Sequence, residues 1–404
     1  MFELPVPPEA DQAASLALAE RLIDRCAEAG GTISFAEYMA TVLYDADHGY
    51  YGAGRVAFGA GGDFVTAPER SPAFSEAVGH EVAAAFAQGV TPRLIEFGAG
   101  SGRLAADLLA NLDARGALPE EYWIVEVSEP LRERQRRTLS ALPERLSSRV
   151  HWCDEDALFA GPVCGIVLAN ELLDAMPVHR LVWSETPGVQ GWQEQRVAWD
   201  GTRFVYKRVP AADSLREAAE RMTDQAGRAP LPGQIIEINL QMIDWLERLG
   251  QAACEAGLAV MLFDYGATAA ELMHPQRRDG MLRCHYRHLA HDDPFVYPGL
   301  QDITSWVDFS AVAQAARSSS FSVDVYTSQA AFVMATDAPA RLEQAMQACS
   351  DRAELARLAQ GFKELVLPTE MGERFRALLL SKGRPVDWPS GAGRNERARL
   401  LQAA

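Results

Sequence analysis

Residues 94–109 read LIEFGAGSGRLAADLL. An apolar run enters three glycines at alternate positions, Gly98, Gly100 and Gly102, and a helical pattern of leucines follows at once. A strand that turns this tightly into a helix is the opening unit of a parallel sheet with crossover helices. The chain then repeats the alternation. YWIVEV (122–127) precedes a helical pattern to Leu142; VHWC (150–153) and GIVLAN (165–170) follow; GLAVMLFDYG (257–266) comes after a helix around Ile243 to Ala256. Short apolar runs separated by amphipathic helices predict α/β architecture, with strands buried on both faces.

The flanks read differently. Leu16, Leu18, Leu22, Ile23, Phe35, Met39 and Leu43 fall at helical spacing around a break at Gly30-Gly31, predicting two helices, and a third is expected from Phe74 to Phe86. VHRLVW, QEQRVAW and TRFVYKRV, between Val178 and Val209, alternate with turn residues and predict an inserted β-meander. Residues 267–304 look irregular. VDFSAVAQAAR then predicts a helix, VDVYTS and AAFVMAT two closing strands, and the chain beyond Ala338 a helical tail. The expected division is a helical cap over 1–90, a nucleoside-binding domain over 91–338 with an insertion at 178–232, and a tail over 339–404.

Glycine permits the tight turn and the close backbone approach that let helix amides face a ligand. Dinucleotide fingerprints prefer GxGxxG; here the last glycine falls one residue early. With Glu96 just before the turn to hold an ammonium group, Gly98, Gly100 and Gly102 suit S-adenosyl-L-methionine, a nucleoside without phosphate. Glu126, closing the second strand, can accept both ribose hydroxyl protons. Asp154 and Asp156 follow the third strand, where an acidic side chain can bond the adenine amino group or simply cap the next turn.

Polar groups at the carboxyl ends of parallel strands lie over the ligand crevice. Asn170, Glu171 and Asp174 follow the fourth strand, and Asp264 closes the fifth. They are the candidate catalytic residues: a carboxylate or amide there would orient a nitrogen nucleophile and stabilise its positive charge. His285, His288, His291, Asp292 and Asp293 lack ligand spacing on any regular element, so a hydrogen-bonded lid is expected and no metal.

With Lys+Arg 38 against Asp+Glu 55, the formal net charge is -17, which repels nucleic acid and anionic membranes and favours a basic partner. The six cysteines form no CxxC pair, which predicts reduced thiols rather than a disulfide framework. The sequence shows no signal-like start and no apolar run of membrane-spanning length, so a cytoplasmic location and no membrane insertion are expected.

HGYYG at His48, GDFVTAPE at Gly62, IEFGAGSG at Ile95, ANELLDAMPV at Ala169, FDYG at Phe263, YPGLQDITSWVDF at Tyr297 and LPTEMGERFRALLL at Leu367 occur in this order. Together they resemble the MidA family, which includes the mitochondrial complex I assembly factor that acts as a protein arginine methyltransferase. The resemblance implies a seven-stranded class I methyltransferase sheet, Rossmann-like, with an N-terminal helical cap and a bacterial-type member of the family. It carries the cofactor role onto Glu96, Gly98, Gly100, Gly102 and Glu126, and the substrate side onto Asn170, Glu171, Asp174 and Asp264. The implied partner is an arginine-containing, basic segment of a protein substrate, and the oligomeric state leaves room for a homodimer. A small-molecule methyltransferase and a cofactor-binding assembly scaffold without turnover are the alternative readings.

Overall fold

The computed structural model describes residues 4–55 and 66–401. The first half of GDFVTAPE, residues 62–65, lies outside the described residues; Thr66 to Glu69 lie within them. The central sheet is built from β1 (Arg93–Phe97), β2 (Glu121–Val125), β3 (Val150–Cys153) and β4 (Val163–Asn170), and from four later strands. Those are β9 (Ala253–Ala267), β13 (Val307–Asp308), β14 (Ser322–Ser328) and β15 (Phe375–Lys382). Its order is β14-β15-β9-β4-β1-β2-β3, with β13 added beside the end of β9. β15 alone runs against its neighbours. This is the class I methyltransferase topology.

Period-two alternation divides the core. Ile166, Leu168, Met261, Phe263, Ala377 and Leu379 face one layer; Val167, Ala169, Val260, Leu262, Leu378 and Leu380 face the other. Parallel strands buried on both faces need this continuous apolar run. The first layer is covered by α4 (Pro72–Ala87), α5 (Arg103–Ala114) and the helices Ala338–Ala348 and Arg352–Val366. The second is covered by the helices Leu240–Ala252 and Phe309–Ser318.

Several expectations are corrected. AAFVMAT is not a strand: Ser328 caps a helix at Gln329–Met334, accepting a hydrogen bond from the Ala331 amide at 3.4 Å. The antiparallel strand comes instead from Phe375–Lys382, so a boundary at 338 cuts through the sheet's own chain and 339–404 is not a helical tail. The segment 267–304 is not irregular, since β10 (Leu282–Tyr286), β11 (Leu289–His291) and β12 (Asp302–Ser305) form an antiparallel sheet. Cys164 and Cys254 are joined in a disulfide, with Cα atoms 5.4 Å apart; 90 residues separate them in sequence, but β4 and β9 are adjacent strands. Cys26, Cys153, Cys284 and Cys349 are free.

The inserted meander is present as β5 (His179–Ser184), β6 (Gly191–Trp199) and β7 (Phe204–Pro210), joined by β8 (Ile235–Ile238) in the order β7-β6-β5-β8. β8 falls beyond the expected limit of 232. Of the cap helices, α1 (Glu9–Glu28) and α2 (Phe35–Tyr44) bury Leu18, Leu22, Phe35 and Tyr38 against Val197, Phe204 and Ile303 of the two small sheets. α3 (Ala67–Arg70) and α4 instead join the main layer, so 1–90 is not one packing unit. Among the described residues no helix is long and apolar enough to cross a membrane.

Candidate active site

At the carboxyl end of β1 the chain turns through Gly98 (φ 66°), Gly100 (φ 53°) and Gly102 (φ 80°), all left-handed, and Gly102 is the N-cap of α5. A Cβ at Gly98 would stand 3.1 Å from Leu172 Cδ1, on the turn after β4. Ser101 donates a short hydrogen bond to Glu69 of α3, which lies over the turn. The loop borders a cavity of about 1170 Å³ lined by Glu96, Gly98, Gly100, Glu126, Asn170, Glu171 and Asp174, among others.

Glu96 is buried and accepts a hydrogen bond from the Tyr122 hydroxyl at 2.7 Å. Burial pushes its carboxyl up to about 7, the tyrosine pulls it down, and the neighbouring Glu126 charge pushes it up further. Glu126 is also buried; it accepts from the Ser128 amide and from Gln135 Nε2, both at 3.0 Å. Burial raises its pKa and those two bonds oppose the rise. Gln135 donates as well to the Gly100 carbonyl (3.2 Å), so one amide ties the glycine turn to the strand-end carboxylate. Val127, next to Glu126, is 68% exposed and lines the cavity, a bare apolar surface beside a carboxylate.

β4 ends in Asn170, and Glu171 takes φ 52°, a left-handed conformation that costs a non-glycine residue of the order of 1–3 kcal/mol. Its amide donates to the Phe263 carbonyl of β9 at 2.8 Å, which holds the kink. The carboxyl accepts from the Ala67 amide at 3.2 Å and from Asn170 Nδ2 at 3.3 Å. Burial, then the charge of Asp174, pushes Glu171 up to about 8. Asp174 is raised to about 6 by burial, against a hydrogen bond from the Tyr265 hydroxyl. Asn170 Oδ1 and Asp174 Oδ1, at this end, have no hydrogen-bond partner among the described residues.

Asp264 is placed differently from the expectation. Its Oδ2 accepts from the Leu173 and Asp174 amides at 3.0 and 3.2 Å, and it is 1% exposed. The side chain does not line the cavity. It fixes the backbone turn that carries Asp174. Asp154 and Asp156 also stand apart: both are exposed, Asp156 pairs with Arg248 Nη2 at 2.9 Å, and from this segment Glu155 alone reaches the cavity wall. Among the described residues no group of three or more His, Cys, Asp or Glu is placed to hold a metal ion; His285 and His291 lie on β10 and β11, with His288 in the turn between them.

Residues 77–327 match a family of S-adenosyl-L-methionine-dependent methyltransferases. The chain belongs to that methyltransferase family. It is 30% identical over 379 residues to the mitochondrial protein arginine methyltransferase NDUFAF7 of Mus musculus, covering 87% of this chain and 81% of the mouse protein. The Homo sapiens protein of the same name is 29% identical, covering 87% and 80%. A crystal structure of a protein from Burkholderia thailandensis described as a likely methyl transferase, bound to S-adenosyl-homocysteine, superposes with TM-score 0.87 at 38% identity and covers 97% of this chain and 99% of that one.

The methyltransferase's residues fit its cofactor. S-adenosyl-L-methionine carries no phosphate, and the glycine turn is followed by no lysine; the two carboxylates on β1 and after β2 suit an ammonium group and a ribose diol. A side chain at Gly98 would narrow the seat between the turn and Leu172. No sequence signal singled out Tyr122, Gln135 or Tyr51, which donate hydrogen bonds to Glu96, Glu126 and Asp302. Gln135 and Tyr122 carried no sequence signal. Tyr51 and Tyr265 sat inside HGYYG and FDYG.

Proposed function

We propose that the methyltransferase modifies a guanidinium nitrogen of arginine in a protein substrate. The observation that carries this reading is the convergence of Glu171, Asp174 and Asn170 on the cavity wall next to the glycine turn, with Asn170 Oδ1 and Asp174 Oδ1 unpartnered among the described residues. A buried acceptor without a donor costs about 1–3 kcal/mol, and guanidinium, with five N–H donors and a planar fork, answers several such acceptors at once. The names of the mouse and human relatives support the same acceptor. The net charge of -17 suits a basic segment.

In this reading Glu96 holds the ammonium group of the cofactor, Glu126 accepts from the ribose hydroxyls, and Gly98, Gly100 and Gly102 leave room for the backbone to approach. Bound S-adenosyl-L-methionine supplies an electrophilic sulfonium methyl. Glu171 and Asp174 orient one guanidinium nitrogen towards it, with Asp264 keeping the turn of Asp174 in place. When the new C–N bond forms and the S–C pair stays on sulfur, the nitrogen must lose one proton. Asp174, raised to about 6 and so ionised at neutral pH, can take that proton from nitrogen and release it to water. Asn170 remains uncharged and accepts from the second nitrogen.

The test is mass spectrometry of protein substrates incubated with methyl-labelled cofactor. Label on arginine nitrogen is expected. Label found only on oxygen or carbon atoms refutes the assignment.

A further inference from the structure

β12 alternates: Ile303 enters the core under the cap, whereas Asp302 and Thr304 line the cavity. Their cross-strand partners on β10, His285 and Arg283, line it too, so this small sheet turns one polar face to the ligand space. Arg283 is engaged at the rim by Asp292 at 2.9 Å. Asp302 is 3% exposed and accepts a hydrogen bond from the Tyr51 hydroxyl at 2.7 Å. Tyr51 stacks on Tyr44 with ring centroids 5.6 Å apart, and Tyr44 is anchored through its hydroxyl to the Ala175 carbonyl at 2.9 Å. Thr304 Oγ1 is buried on the same face without a hydrogen-bond partner among the described residues. The charge of Asp302 reaches Glu171, so the two carboxylates share one region of low dielectric.

We infer that Asp302, fixed by Tyr51 and flanked by Thr304, is the specificity-determining residue of the acceptor side, selecting a cationic, N–H-rich group by gripping the part of it that is not methylated. The inference rests on the arginine reading for the nature of the acceptor. It assigns a function to two sequence motifs, HGYYG and YPGLQDITSWVDF, whose side chains meet at this one hydrogen bond. A carboxylate with a hydroxyl beside it matches the N–H edge of a guanidinium, and a neutral isostere loses the charge-assisted share of that contact.

The experiment measures binding of Nα-acetyl-arginine methylamide and of its neutral counterpart, Nα-acetyl-citrulline methylamide, to the full chain saturated with S-adenosyl-homocysteine. The wild type should prefer the arginine probe by about tenfold or more, as expected for a hydrogen bond to a charged partner. Asp302→Asn should bring that preference to within about twofold, leaving citrulline-probe and S-adenosyl-homocysteine affinities unchanged; Asp302→Glu should restore part of it. A preference that survives in Asp302→Asn, a wild type that binds neither probe, or a parallel fall in S-adenosyl-homocysteine affinity overturns the inference. Should Asp302→Asn fail to fold, the near-isosteric Thr304→Val decides: it should weaken the arginine probe about threefold or more, and no change overturns the inference. The arginine reading fails separately, by label on other atoms.

Discussion

Replacing Glu171 by glutamine should stabilise the fold while abolishing methyl transfer. The carboxyl has an ordinary value of 4.5 and sits at about 8 in the folded chain, raised by burial and then by the charge of Asp174. Below pH 4.5 both folded and unfolded chains hold the proton, and Glu171 makes stability independent of pH. Between 4.5 and 8 the folded chain keeps a proton that the unfolded chain has lost, so stability falls as pH rises, by about 1.4 kcal/mol per pH unit. At pH 7 the difference is 2.5 units, or about 3.5 kcal/mol at most; solvent reaching the cavity trims it to about 2 kcal/mol. Glutamine carries no such penalty, and its carbonyl can still accept from the Ala67 amide and Asn170 Nδ2 as Glu171 does. Thermal melts at pH 5 and pH 7.5 are the assay. Glu171→Gln should melt a few degrees above wild type at pH 7.5, with the gap shrinking at pH 5. A variant less stable than wild type at pH 7.5, or a gap that does not change with pH, would refute the reasoning.

Gly98→Ala should weaken S-adenosyl-homocysteine binding about tenfold or more in calorimetry, since alanine at φ 66° costs about 1–2 kcal/mol and its Cβ crowds Leu172. Glu126→Ala removes a carboxylate acceptor worth about 1.5–3 kcal/mol per charged hydrogen bond and leaves Gln135 Nε2 with only its bond to the Gly100 carbonyl, so the affinity should fall about a hundredfold or more. In the wild type, affinity for S-adenosyl-homocysteine should drop as pH falls below about 7, because the ammonium group prefers ionised Glu96 and the proton must first be expelled; calorimetry of Glu96→Gln should show that slope flattened.

Much of the site was legible because the information is local. Gly98, Gly100 and Gly102 declare a left-handed turn by having no side chain, and Glu126 is placed by the end of its own apolar strand. Asn170, Glu171 and Asp174 follow from the rule that carboxyl strand ends face the crevice, and all three line it. Asp264 obeys the same rule and still points away, because its carboxyl is captured by the amides of residues 173 and 174 on the neighbouring turn. Asp156 looked equally eligible but pairs with Arg248, 92 residues away.

The strand–helix period therefore determined the class of fold from the chain alone, and the glycines with the strand-end carboxylates marked the candidate cofactor seat. Tertiary structure decided the rest. Phe375–Lys382 became, among the described residues, the sole antiparallel strand of the main sheet because a gap between β14 and β9 had to be filled by an apolar strand from far along the chain. Cys164 met Cys254, and Tyr51 met Asp302, through strand adjacency and cap packing. Periodicity reports which face of an element is apolar; it carries no record of which distant element will lie against that face.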